Sequence, residues 1–279
     1  MKKILILIIN LILCIGAFGQ DKIEKVTASV IEEGKKLYRS EMASWYGTDI
    51  FLEKFSDRKG NIGGYFSYTD NGVSNCVFFS RSDNPKVIGT ISFDSTYNVS
   101  TAKVDGLERD FTANELDIYT IRKNALTEIT SDTLFKTYKN TNLNLIPLID
   151  KGEKKVYVLT GPQNSGVVIM GNDYLLTFDK KNSLINKTQL HRNIIPIKGT
   201  EEKDEAITMH THLKETGYFI TATDICTLLL YEKFAKWKQH IVISEKYVCM
   251  WDCKTDQLVI LTKKAWDNIY KDQEKRKKN

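Results

Sequence analysis

The side chains best suited to chemistry in this sequence are His210-Thr211-His212 and, at the start of a helical pattern, Thr221-Ala222-Thr223-Asp224. On an extended strand, residues i and i+2 share a face about 6.5–7 Å apart, which lets two imidazoles bend toward one ion. The alternation agrees, with Ile207 and Met209 on one side and Thr208, His210 and His212 on the other. A carboxylate at Asp224 can swing back to the same ion. His210, His212 and Asp224 then make a three-ligand set with a fourth position open to water, the arrangement of catalytic zinc. The same residues have a plainer use. Thr221, Thr223 and Asp224 are natural helix caps, worth about 1 kcal/mol, and the two histidines would then flank a polar cleft. The other histidines, His191 and His240, read as surface residues. Glu201, Glu202, Asp204 and Glu205 read as a solvated loop, and Glu215 falls where a lid residue would sit.

The elements that must position these residues can be read from periodicity. Residues 22–45 carry Ile23, Val26, Val30, Ile31, Leu37 and Met42 at helical spacing. Short β-branched or aromatic runs follow between about 64 and 105, with Asp70-Asn71-Gly72 as a hairpin signal. Thr112 caps a second helix, with Glu115 at the capping-box position and Leu116, Tyr119, Ile121, Ala125, Leu126 and Ile129 as its apolar face. The polar stretch 140–144 suggests a boundary, dividing the chain into 20–145 and 146–279. From 155 the chain is strand-rich, with a turn at Asp179-Lys180-Lys181-Asn182 and a strand over 206–212. A third helix is expected over 224–238, with Ile225, Leu228, Leu229, Phe234 and Trp237 inward, then strands over 240–251 and 257–262. The order predicts an α+β fold, mostly antiparallel sheet with a few packed helices, and not alternating βαβ units.

The first residues read as a signal peptide. Met1-Lys2-Lys3 is positive, residues 4–15 are apolar apart from Asn10, and Gly16-Ala17-Phe18-Gly19 offers a cleavage site before Gln20. The apolar run is shorter than the ~20 residues that a membrane span needs, so residues 1–19 are expected to be removed and the protein to be secreted or periplasmic, with no integral membrane span in the mature chain. Removing Lys2 and Lys3 lowers the formal charge from +5 to +3, a balance that argues against a nucleic-acid binder. The charged run 271–278 reads as a solvated helix end. Cys14 belongs to the apolar run; Cys76, Cys226, Cys249 and Cys253 remain. Cys249 and Cys253, four apart on a strand, would lie about 13 Å apart, too far for a bridge, so free thiols are expected.

His210-Thr211-His212, then eight residues, then Thr221-Ala222-Thr223-Asp224 resembles the motif of the JAMM, or MPN-domain, metallopeptidases, which carry His-x-His, seven residues and Ser-x-x-Asp. Phe219-Ile220-Thr221-Ala222-Thr223-Asp224-Ile225 is similar to the JAB-like domains of exported bacterial proteins, with one residue inserted. The resemblance covers roughly residues 150–262. It implies Zn2+ held by His210, His212 and Asp224, an oxyanion-steadying role for Thr221, and an upstream glutamate as general base, for which Glu153 before Val156-Tyr157-Val158-Leu159-Thr160-Gly161 is the candidate. Gln163 near Gly166 would be a degenerate equivalent, and Leu213 replaces the usual proline. The expectation is an exported zinc-dependent peptidase acting on an unknown peptide or protein substrate. The alternative is a non-catalytic exported binding protein on a degenerate scaffold of the same kind.

Overall fold

The computed structural model describes the backbone of residues 2–198 and 206–278 and the side chains of residues 23–198 and 206–276. The side chains of the expected signal segment, Cys14 among them, and the acidic run Glu201, Glu202, Asp204 and Glu205 lie outside the described residues. Among the described residues no helix is long and apolar enough to cross a membrane.

The fold is α+β. Helix α1 (Lys2–Lys54) leads into a meander of β1 (Ile62–Asp70), β2 (Val73–Ser80), β3 (Val87–Phe93) and β4 (Lys103–Asp105). The two-residue hairpin between β1 and β2 places Asn71 at φ 47° and Gly72 at φ 80°, the twist that Asn-Gly supplies at least cost. After α2 (Ala113–Ser131) come β5 (Thr141–Asp150), β6 (Glu153–Pro162), β7 (Val167–Gly171), β8 (Tyr174–Phe178), β9 (Leu184–Gln189) and β10 (Ile194–Lys198). They form an antiparallel sheet ordered β5-β6-β8-β9 and a separate β7–β10 ribbon. The remaining sheet is ordered β11-β12-β13-β14, from β11 (Ala206–Thr211), β12 (Trp237–Ile243), β13 (Tyr247–Asp252) and β14 (Gln257–Thr262), with α3 (Ala222–Tyr231) between its first two strands and α4 (Lys263–Lys278) after its last.

Several sequence expectations are corrected. The β11–α3–β12 segment is a βαβ unit with a parallel strand pair, Thr208 opposite His240 and His210 opposite Val242. Helix α3 stops at Tyr231 rather than continuing to 238. Lys236 turns left-handed at φ 54°, and Trp237 opens β12 so that its ring joins Ile225, Leu228 and Trp251 in the core, leaving Phe234 outside at 76% exposure. The strand expected over 240–251 breaks at Ser244, whose hydroxyl accepts from Tyr247 N at 3.1 Å and donates to Tyr218 O at 2.8 Å. On α2 the capping box between Thr112 and Glu115 forms as the spacing predicts. Its inward face, however, runs through Ile118, Ile121 and Ala125, and Leu116 and Leu126 are exposed. On α1, Val26 is exposed and the inward stripe runs through Thr27, Leu37, Ala43 and Ile50. The four cysteines outside the signal segment are free and buried.

Helix α1 ties the chain together. Its Ala43, Ile50 and Phe51 pack on Cys76, Phe78 and Ile91 of the first meander. Its Leu37 packs with Ile146 and Tyr157 of the second sheet and with Cys226 and Leu230 of α3. Residue 145, where the composition suggests a division, therefore lies within β5, a strand whose core is shared by both sides. The α1–α3 crossing is close because Gly34 has no side chain, and a Cβ there would stand 2.6 Å from Ile225 Cβ and 2.9 Å from Ala222 O.

Two predictions follow from this packing. In an exposed helix Gly→Ala stabilises by up to about 1 kcal/mol, but Gly34→Ala should destabilise by about 1–3 kcal/mol through overpacking, measured as a lowered urea midpoint at unchanged slope. The second concerns the fully buried Glu115, which accepts from Arg109 Nη1 at 2.6 Å, Arg109 Nη2 at 2.8 Å and Thr112 N at 2.8 Å. Burial opposes its charge, but Arg109 and Thr112 hold its carboxyl below its ordinary value of 4.5. This stability is complete above about pH 4.5 and is lost as pH falls toward the lowered folded value. Arg109→Met should cost about 2 kcal/mol at pH 7 and progressively less in acid, with the gap from wild type closing across that range.

Candidate metal centre

Strand β11 carries out the alternation written in its sequence. Ile207 and Met209 are each 57% exposed, whereas His210 and His212 are buried at 5% and 6%. His212 lies just past the strand, and its N–H continues the ladder to Ile243 O at 2.9 Å. Asp224 stands at the third position of α3. Thr221 caps that helix reciprocally, accepting from Asp224 N at 3.1 Å while its own N–H and hydroxyl donate to Asp224 Oδ2 at 2.9 and 2.8 Å. The cap thus fixes a buried carboxylate in front of the strand histidines.

The expected trio does come together. His210 Nε2 lies 2.9 Å from His212 Nε2 and 3.6 Å from Asp224 Oδ1, and His212 Nε2 lies 3.2 Å from Asp224 Oδ2. A fourth member joins it. His191, read from sequence as a surface residue, is 7% exposed, and its Nε2 lies 3.0 Å from His212 Nε2 and 3.7 Å from Asp224 Oδ2. His191, His210, His212 and Asp224 each offer a ligand atom within 4.8 Å of the others, a group that could hold a metal ion. Tetrahedral ligands at 2.0–2.1 Å from zinc stand about 3.3–3.4 Å from one another. Five of the six edges, taken to the nearer Asp224 oxygen, run from 2.9 to 3.7 Å and bracket that value, within a group that spans 4.8 Å.

His191 reaches the centre through a turn that local sequence patterns do not reveal. Asn172, at φ 53°, is buried, donating to Lys136 O and Thr160 Oγ1 at 2.9 Å each and accepting from Tyr174 OH at 2.7 Å. This pins the β7–β8 turn and presents Asp173, whose carboxylate meets His191 Nδ1 at 2.6 Å. Gly171, at φ 79°, is required there, because a Cβ would come within 2.4 Å of Asn193 O. His240 also departs from the surface reading. It is fully buried and bridges His210 Nδ1, at 2.8 Å, to Thr208 Oγ1, at 2.7 Å. Two of the three clustered histidines therefore have their outer nitrogens engaged, the arrangement that fixes ligand tautomers in metal sites.

The electrostatics follow from burial and the two carboxylates. Burial works against a charge on His191, but Asp173 and Asp224 outweigh it and raise the group to about 9. Burial lowers His210 to about 4 and His240 to about 3, so both are neutral near pH 7. Burial also opposes the charge on Asp224, yet the surrounding histidines hold its carboxyl well below the usual range.

The other residues singled out in the sequence lie elsewhere. Glu153 opens β6 at the surface and pairs with Lys155 at 2.9 Å. It stands seven residues from Thr160, which contacts the Asp173 turn, or about 23 Å along the strand. Thr221 gives its hydroxyl to Asp224. Gln163 donates to Asn142 Oδ1 at 2.6 Å and lines a different cavity. Leu213 lines a cleft of about 330 Å³ that opens onto His191 and His210, with Arg192, Asn193 and Thr216 along its walls. Glu215 accepts from Arg192 at 2.8 Å beside this cleft.

Compared with known proteins, the chain has no significant match. No family model, curated protein or solved structure resembles it closely enough to assign a family. Function must therefore be argued from the site itself.

The purified protein should hold about one equivalent of a divalent transition metal, as measured by elemental analysis. His212→Ala and Asp224→Asn should lose it, whereas Glu153→Gln should retain it. With metal in 1,000-fold excess over its dissociation constant the folded state gains about 4 kcal/mol, so chelator should lower the melting temperature of the wild type and leave His212→Ala unmoved.

Proposed function

We propose that this chain is an exported zinc-dependent hydrolase of JAMM-like type, acting on a peptide or isopeptide bond. One observation carries the reading: the cleft lined by His191 and His210 opens onto the buried group of possible ligands. The positive and apolar N-terminal segment supports export. Three imidazoles and a carboxylate suit zinc among the first-row metals. Zinc, when bound, supplies Lewis acidity to a carbonyl and acidifies water.

The chain's own residues divide the remaining work. His210, His212 and Asp224 form the compact triangle that holds the ion. His191 joins it through His212, with Nε2 3.0 Å from His212 Nε2 and Nδ1 on Asp173. In this position His191, held as an imidazolium near pH 7 by Asp173 and Asp224, gives its Nε2 proton to the leaving amine and is reprotonated from the attacking water, taking over the proton transfer that the resemblance assigns to a glutamate. Asp173 fixes its tautomer and steadies the imidazolium. The Arg192–Glu215 pair stands by the cleft where a substrate chain would enter.

A second reading has its own support. The five near-tetrahedral edges suit His191 as a fourth ligand in a closed, non-catalytic centre. The His191→Ala variant separates the two. As the proton-transfer residue, its loss leaves about one equivalent of zinc bound and lowers turnover of a peptide or isopeptide substrate by 10²–10⁴-fold. As a fourth ligand, its loss weakens zinc binding, and the wild type cleaves no member of a peptide and isopeptide panel.

A further inference from the structure

A second cavity, of about 780 Å³, lies between α1, β1, α2, β5 and the end of α3. That volume is in the range of small-molecule sites. The cavity contains neither the clustered histidines nor Asp224. Strand β7 separates the two openings: Val167 and Val168 line this cavity, while Met170 and Gly171 line the metal cleft.

Two opposite charges that line the cavity, on Arg122 and Glu41, make no ion pair among the described residues. Arg122, on α2, lines the wall with its guanidinium 5.9 Å from the centre of the Tyr65 ring. Among the described residues it makes no hydrogen bond and no ion pair, although a guanidinium carries five donors in a planar fork. Glu41, on α1, lines the same cavity. Its carboxylate accepts one long bond, from Asn144 Nδ2 at 3.4 Å, and it does not pair with Arg122. Burial, only partly offset by Asn144 and Arg122, raises Glu41 to about 7, as befits a carboxylate with no cation against it. A fork without an anion and a carboxylate without a cation, facing one space, complement a ligand that carries both charges. Five aromatic side chains line the cavity among aliphatic and polar ones. Trp45 is 48% exposed and Phe234 76% exposed, and Tyr65 and Tyr231 stand with them. This favours an apolar body on the ligand.

We propose that this cavity binds a zwitterion, an α-amino acid or short peptide with a large apolar side chain, its carboxylate on Arg122 and its ammonium on Glu41. The site is separate from the metal centre and does not depend on zinc being catalytic. The Ser44 hydroxyl is committed within the wall, to Ser67 at 2.8 Å, and Asp49, Asn164 and Ser165 also line the cavity.

Calorimetric titration of the whole chain with free phenylalanine and with the dipeptide Phe-Phe distinguishes the two ligand lengths. N-acetyl-phenylalanine and phenylalanine amide each remove one charge while keeping the ring. Binding of phenylalanine or Phe-Phe, weakened at least tenfold in both single-charge analogues, is the expected result. Arg122→Met should abolish binding of the zwitterion and Glu41→Gln should weaken it, with His212→Ala binding as wild type does. Because the analogue comparison uses the unaltered protein, it stands even where Arg122→Met fails to fold. Equal binding of N-acetyl-phenylalanine and phenylalanine would overturn the role of Glu41 and leave a simple anion site. The absence of binding by either zwitterion would overturn the proposal altogether.

Discussion

His212 Nε2 lies 2.9 Å from His210 Nε2, 3.0 Å from His191 Nε2 and 3.2 Å from Asp224 Oδ2, all buried. A ring nitrogen carries one proton or one lone pair, so it can serve only one of these neighbours as donor or acceptor. The outer nitrogen of His212 has no partner either. Buried polar atoms left in this state cost roughly 1–3 kcal/mol each. A cation between them resolves the conflict, because it takes lone pairs from several imidazoles and the carboxylate at once. Much of the surrounding architecture holds these four groups against their mutual crowding.

That holding comes from parts of the chain far apart in sequence. The βαβ unit brings His210, His212 and Asp224 together over a few turns of chain. His191 arrives from the link between β9 and β10 and is aimed by Asp173, which depends on Asn172 being fastened to Lys136 and Thr160. Helix α3, whose first turn carries Asp224, is seated on α1 at Gly34. The first meander, packed on the other end of α1, thereby supports the site without contributing a ligand to it.

This arrangement explains what could be read in advance. His210 and His212 were legible because a two-residue period and an exposed Ile207 and Met209 are local facts about one strand. Asp224 was legible because capping spacing is also local. His191 was not, since its burial depends on the β7–β8 turn and on Asp173 eighteen positions away. The end of α3 was misread for a related reason: the apolar spacing runs on through Phe234 and Trp237, but Trp237 packs with Trp251 only as part of β12. On α2, Leu116 looked inward by periodicity, yet Arg109 draws Glu115 into the buried face and rotates the apolar stripe. Three of the four histidines in the chain converge on one point, and the fourth, His240, bonds to His210.

The helix-cap and metal-ligand readings of Asp224 at first look like rivals, but the magnitudes and the geometry make them one device. A cap contributes about 1 kcal/mol, whereas burying an ionised carboxylate costs several kcal/mol. The cap alone does not offset that cost, so the charge needs cationic company. Thr221 engages Oδ2, leaving Oδ1 on the side of His210 at 3.6 Å. Capping therefore sets the rotation of the carboxylate, presenting Oδ1 to His210 while the capped Oδ2 also faces His212 and His191 at 3.2 and 3.7 Å. A residue that only capped a helix would be as well placed at the surface, in water. Asp224 is 2% exposed, enclosed by three imidazoles, and that enclosure is what turns an ordinary helix start into a corner that could hold a metal ion.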